Sequence, residues 1–382
     1  MHISLLYIVL QLIVCDDDIF GIKYFGRIIP TPRLHLGNKD KELYCHINLR
    51  SSFTWTTIPN RKSMNIPKEN IVKKVEVKVK GMTYNAFEYT NTLWFSDINN
   101  YVLPEYHIYV INLEDNSEDK AKQSVGNGIG LGYYITDEKF SIVHCLYNDG
   151  KIRQRKFAIG EYNNEEEYGL LYFGGIPSTV TDNKDYKAKC KVPKGSRNWS
   201  CKLDKVIISN NTYDAKGDQM LFETSFENMI VPEKFLDFIN ETVLPYRRNC
   251  YYIKNKISFI RCNIDELEAL PLFHFVFDEI DFTIPMGRLF VDGYEISDSV
   301  LLSNRDIEDN KNMWIFGGRF LENYITVYDY DKSTIEFYTS KYVVKQIKGI
   351  NTFAIKNSIM IIGILCFGIS LLLLYIKMKY DI

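Results

Sequence analysis

"GNGIGLGYYITDEKFSIVHCLYNDGKI" occupies residues 126–152 and is answered by "GLLYFGGIP" at residues 169–177. Glycines this dense suit either a phosphate cradle or strands whose backbones approach one another closely. Gly126–Gly132 does not match the G-x-G-x-x-G spacing, and no amphipathic helix is read after it, so a phosphate site is not indicated. The surrounding sequence reads as β. "VEVKVK" (75–80) alternates apolar and charged residues and stops at Gly81, the pattern of a half-buried strand meeting a turn. "LYCHINL" (43–49) puts Leu43, Cys45, Ile47 and Leu49 on one face, and "HIYVINL" (107–113) and "NYITVYDYD" (323–331) are further short strands. One helix is clear, "PEKFLDFINETV" (232–243), with proline first, acids in the first turn, and Phe235, Ile239 and Val243 at spacing four.

The ends carry their own signals. Ile3–Val14 is apolar, too short to span a bilayer, and is followed by Cys15 and three aspartates, so residues 1–15 read as a signal peptide. Ser358–Ile376 has no charge and is long enough to cross a hydrocarbon core. Lys377 and Lys379 follow it, so residues 377–382 are expected to be cytoplasmic and the body extracellular or lumenal, a single-pass type I arrangement. Residues 341–357 read as a juxtamembrane stalk. What remains exceeds one ordinary core and is expected to form two lobes, 16–180 and 181–340.

A net charge of −2 gives no reason to propose nucleic acid as a partner, and a monomer is expected. Of eight cysteines, Cys15 and Cys366 fall in the terminal apolar runs. Cys45, Cys145, Cys190, Cys201, Cys250 and Cys262 remain as disulfide candidates; six allow fifteen connectivities, with Cys190–Cys201 and Cys250–Cys262 as natural local pairs. Asn198, Asn210 and Asn240 head glycosylation sequons. The C-x-x-C, H-E-x-x-H and G-x-S-x-G patterns are missing, so no metal or cofactor is implied.

The glycine-rich stretch and its answering strand resemble the pepsin-like aspartic proteases, in which a G-hydrophobic-hydrophobic-G-L-G strand precedes an "FS" strand and a G-x-L-x-F-G-G strand. "YFGRI" (24–28), "NWSCKLDKVII" (198–208) and "CNIDELEALPLFHFVF" (262–277) resemble further family segments in the family's order. "WIFGGRFLENYITVYDYDKSTIEF" (314–337) is similar to its W-I-L-G-D-x-F-L-x-x-Y motif and the next strand. The resemblance implies an all-β, two-lobed fold with a central cleft, here with one C-terminal transmembrane helix. It also implies a D-T/S-G loop from each lobe.

Those loops fall on Asn48-Leu49-Arg50-Ser51-Ser52 and on Glu223-Thr224-Ser225, registered by Trp55 and by Pro232 nine residues after Glu223. Asn48 and Glu223 therefore match the two catalytic aspartates, with Leu49, Arg50, Ser51, Thr224 and Ser225 as cleft-floor neighbours. The family's reaction needs two carboxylates sharing one proton, and Asn48 cannot ionise. Arg50 is expected to pair with Glu223 and depress its pKa. Tyr84 and Tyr89 are the candidates for the family's flap tyrosine. With signal cleavage expected after Cys15, only residues 16–23 would precede "YFGRI", so no inhibitory prosegment is expected. The reading is a membrane-anchored pseudoprotease whose cleft binds peptide or protein; an endopeptidase working from Glu223 alone or with a carboxylate such as Asp97 or Glu227, or a structural surface glycoprotein, are the alternatives.

Overall fold

A computed structural model describes residues 19–339, apart from 38–41, 59–67, 80–81, 96–101, 114–124, 182–185, 226, 278–279, 292–294 and 305–312. The signal-peptide, stalk and membrane-span expectations lie outside the described residues. Among the described residues no helix is long and apolar enough to cross a membrane.

The chain builds two large sheets. One run of six strands draws on both halves of the sequence: Tyr186–Lys191, Thr334–Thr339, Tyr324–Asp329, Lys156–Ile159, Gly169–Phe173 and Phe20–Phe25, in that spatial order. Phe20–Phe25 lies antiparallel to Gly169–Phe173, so the answering glycine-rich strand is a direct neighbour of the first strand. Lys156–Ile159 pairs with Tyr324–Asp329, which ties the N-terminal half to the last hairpin. Apolar residues on these strands (Ile22, Phe157, Leu171, Phe173, Tyr328 and Phe337) are buried in one continuous core.

The same local device recurs in each half. His46–Asn48 runs parallel to Gly128–Gly130, and the end of Asn211–Phe222 runs parallel to Met313–Phe316. Each parallel pair delivers one loop to the junction. Gly130 is required there, because a Cβ would collide with the backbone of Phe53. The density of glycine in residues 126–132 thus reflects close approach, by backbone at Gly130 and Gly132 and by the Trp55 ring at Gly128. The aromatic anchors are equally paired: Trp55 Nε1 donates to the Gly126 carbonyl at 3.0 Å, and Trp314 Nε1 donates to Asp218 Oδ2 at 2.7 Å.

Three expectations are corrected. The "FS" segment is not a strand: Glu138–Phe140 is a 3-10 turn and Ile142–Asn148 an α-helix, with Ile142, Val143 and Leu146 on its buried face. The fold is accordingly mostly β rather than wholly so, with Glu233–Thr242 the longest helix among the described residues. Of the six cysteines, Cys190–Cys201 and Cys250–Cys262 are bonded, but Cys45 and Cys145 are free thiols. Cys45 faces the core, where burial pushes its pKa up to about 12. Cys145 donates instead to the carbonyls of Glu138 and Lys139.

The seam between the halves depends on Gly318. A side chain there would run into the Ile28 carbonyl, in the turn that follows the first strand. Beside it Arg27 Nε meets Glu322 Oε2 at 2.9 Å. Gly318→Ala should lower stability by about 1–3 kcal/mol, the usual cost of overpacking. Chemical denaturation would report this as a lower midpoint at unchanged slope.

Candidate functional site

Asn48 ends its strand with its side chain buried, 3% exposed. Its Oδ1 accepts the backbone N–H groups of Arg50 at 3.1 Å and Ser51 at 2.7 Å, and its own carbonyl accepts Leu131 N–H at 2.9 Å. With the oxygen so occupied, the amide Nδ2 is turned towards the other half, where it reaches Ser225 Oγ at 3.5 Å. Glu223 follows the strand Asn211–Phe222 and is 1% exposed. Its backbone N–H donates to Phe316 at 3.0 Å, and its Oε1 accepts Ser225 N–H at 2.9 Å. The two side chains are thus linked through Ser225, one bonded to its hydroxyl and the other to its amide.

The seam beneath them is one-sided. Thr224 Oγ1 donates to the Ile47 carbonyl at 2.8 Å, a fully buried bond between residues far apart in sequence. Leu49 stands on the opposite loop, equally buried, with no hydroxyl to return the bond.

The comparisons with known proteins agree with this architecture. The family described as "Eukaryotic aspartyl protease" matches residues 99–340, more than half of the chain. The chain belongs to the eukaryotic aspartyl protease family. A pregnancy-associated glycoprotein of Equus caballus is 26% identical over 218 residues, covering 56% of this chain and 53% of that protein. Gastricsin of Homo sapiens is 19% identical over 219 residues, covering 56% and 54%. The chain therefore spans about half the length of the curated relatives it matches. The crystal structure of an aspartic proteinase from Irpex lacteus superposes with a TM-score of 0.66 at 14% identity, covering 85% of this chain and 98% of that one. At that identity the likeness concerns the fold.

Within this aspartyl protease fold, the electrostatics of Glu223 differ from the expectation. Burial raises its pKa and outweighs the opposing effects of the Ser225 amide and hydroxyl, the Arg50 charge and the Leu49 amide. Arg50 is solvent-exposed, and no salt bridge joins it to Glu223 among the described residues. A guanidinium in water is screened, so it cannot offset the loss of hydration around a fully buried carboxylate. The expected depression of the Glu223 pKa is corrected to a rise.

Other candidates are dispersed. Glu227 pairs with Arg319 Nε at 2.7 Å, and its carbonyl accepts Arg319 N–H, so it is held in a local clamp. Asp97 lies outside the described residues. Tyr84 is buried with Trp55, Val77 and Val79 in a small cluster separate from the main core. Tyr89 belongs to the main core, its hydroxyl accepting Asn91 Nδ2 at 2.6 Å. Ser51 Oγ donates to the Phe53 carbonyl at 3.1 Å and so shapes its own loop. Asn210 sits exposed in the two-residue turn after Ile208, Asn240 is exposed on its helix, and Asn198 is partly buried. No group of three histidine, cysteine or acidic side chains that could hold a metal occurs among the described residues.

Sequence reasoning missed Asn127, whose Oδ1 accepts both the Thr56 hydroxyl and the Thr57 amide at 2.9 Å, fastening the first loop to the glycine-rich strand. It also missed Glu88, whose signal was a lone acid inside "MTYNAFEYTNTLW".

Two outcomes follow for this site. Thr224→Val should cost about 1–3 kcal/mol, because it leaves the buried Ile47 carbonyl without its donor. A denaturant titration at neutral pH measures it. Glu223 has a raised pKa, so the folded state holds its proton more tightly than the unfolded state, and stability falls as pH rises from the ordinary value of 4.5 through the folded one. Glu223→Gln should remove that fall, and its stability relative to wild type should grow with pH across the same window.

Proposed function

We propose that the chain is a membrane-anchored pseudoprotease, which holds an extended peptide or a protein segment between its lobes without cutting it. One observation carries the reading: the junction presents one amide, Asn48, and one buried carboxyl, Glu223, where the sequence resemblance puts the family's two aspartates. Hydrolysis requires an ionised carboxylate to take a proton from water while a second, protonated one polarises the scissile carbonyl. Asn48 can do neither, since its oxygen already accepts two backbone N–H groups and its nitrogen does not ionise at physiological pH. Glu223, with its pKa raised by burial, stays protonated to higher pH than an ordinary glutamate, and Asn48 opposite it cannot take the complementary role. Proton transfer by a positioned group contributes about 10²- to 10⁴-fold, and a pair acting as a unit loses more than either member alone suggests.

The same floor is suited to binding. The Thr224 bond and the Ser225 bridge hold both loops fixed, so they form a rigid floor beneath an extended main chain without taking part in chemistry. The membrane anchor rests on Ser358–Ile376 and the two lysines that follow it, and the secretory route on the N-terminal apolar run. An endopeptidase built on Glu223 would need a second acid, and Glu227 is already committed to Arg319.

Incubation of the purified full chain in detergent with a diverse peptide library, from acid to neutral pH, should yield no cleavage sensitive to a statine-type inhibitor. Inhibitor-sensitive cleavage would overturn the reading in favour of the endopeptidase. The combined variant Asn48→Asp, Arg50→Gly, Glu223→Asp and Ser225→Gly should gain activity if only the reacting groups have been lost.

A further inference from the structure

Glu88 is the most heavily paired acid among the described residues, and nothing in the proposed chemistry uses it. Its side chain is 1% exposed on the strand Met82–Trp94. Three basic side chains converge on it, each from a different element. Lys73, from the strand Ile71–Val79, approaches Oε2 at 3.4 Å; His107 Nδ1, from Val102–Asn112, lies 3.0 Å from Oε1; and Lys139 Nζ, from the turn Glu138–Phe140, lies 2.9 Å from Oε1. The other charged and titratable groups facing this point are Asp137, 3.6 Å from Lys139, and Tyr109, which burial and the charges of Glu88 and Asp137 push up to about 12. Thr90 Oγ1 also touches His107 Nδ1, at 3.3 Å.

We propose that Glu88 is an acid-released clamp, tying the Ile71–Val79/Met82–Trp94 hairpin and its neighbour strand to the Glu138–Phe140 turn at neutral pH and letting them part in acid. Among the described residues, the carboxylate is the only anion common to all three bases. Once it is neutral, two ammonium groups and an imidazole face one another across a protonated acid, with Asp137 reaching only Lys139. Lys73 and Lys139 are 61% and 39% exposed, so both heads can swing into water, and the turn can move away without burying a charge. The turn is also held by the stacking of Phe140 on Tyr109, with centroids 4.4 Å apart, by the Tyr106 hydroxyl, by the edge of the His107 ring, and by the Cys145 thiol of the helix that follows it. That hydroxyl bonds both the Phe140 carbonyl and Thr54 Oγ1, so movement of the turn reaches the loop that carries Asn48.

The sign agrees with this direction. Burial alone would raise the Glu88 pKa, but the hydrogen bonds from Lys139 and His107 and the charges of Lys139 and Lys73 leave it below the ordinary 4.5. A carboxylate depressed on folding stabilises the native state fully above its unfolded value, and that contribution disappears as pH falls through the folded one. The clamp is therefore closed at neutrality and opens below the ordinary carboxyl value of 4.5. It goes beyond the binding function and holds whether or not the lobes cut or grip a peptide.

Hydrogen exchange of the full chain in detergent, read by mass spectrometry and corrected for intrinsic rates at each pH, tests the proposal. Protection of residues 71–79, 82–94 and 138–140 should fall about ten-fold or more as pH drops below 4.5, while the Cys250–Asn263 region keeps its protection. Glu88→Gln should show the low protection already at neutral pH and lose the acid step, and Lys139→Met should reduce neutral protection in the same segments. Unchanged protection of the hairpin in acid overturns the proposal, as does loss that is simultaneous in both halves. Wild-type protection at neutral pH in Glu88→Gln overturns it too. If that variant does not fold, the wild-type pH series decides alone.

Discussion

The hydroxyl of Thr224 reaching the Ile47 carbonyl, 2.8 Å across the seam, is the contact on which the arrangement of the site depends. It fixes the second loop against the strand that delivers the first, and so sets where Asn48 and Glu223 lie. Backbone groups do most of the remaining positioning. Leu131 and Gly132 N–H groups hold the carbonyls of Asn48 and Ser51, and the Phe316 carbonyl holds the Glu223 N–H. The glycines at 130 and 132 matter because other backbone segments pass where a Cβ would stand. The frame therefore survives changes in the side chains it presents.

That separation of frame from chemistry explains how an amide and a glutamic acid can occupy such a site. Asn48 accepts the same two N–H bonds that a carboxylate oxygen would accept, so the loop loses no hydrogen bond when the charge is absent. Without a second negative charge beside it, Glu223 is governed by burial, which raises its pKa, and by the Ser225 amide, which partly opposes that rise. Leu49 removes the reciprocal hydroxyl of the seam and adds apolar contact instead; the core absorbs it at 0% exposure. The two loops thus keep their backbone bonds while presenting one amide and one carboxyl.

Much of this was legible in the sequence because it is periodic or stereochemically forced. The alternation in residues 75–80, the helix after Pro232 and the glycine run each reflect a local rule, and each found its element. The resemblance implies a strand at the "FS" segment, whereas the buried face that Ile142 and Val143 share with Leu146 follows the helical period. The Arg50 expectation failed for a different reason. Sequence position says which residues are near, but not that the guanidinium points to solvent while the carboxylate is sealed. Glu88 was invisible for the same reason, since its three partners come from positions 73, 107 and 139 and only the sheet brings them together.

The most direct test of the central claim is the titration of Glu223 itself. Side-chain carboxyl labelling with carbon-13, assigned by comparison with Glu223→Gln, would follow its chemical shift from acid to alkaline pH. The account predicts a single transition above the ordinary 4.5, belonging to one isolated buried acid. Two coupled transitions, the signature of a carboxyl pair sharing a proton, or one transition below that value, would contradict it.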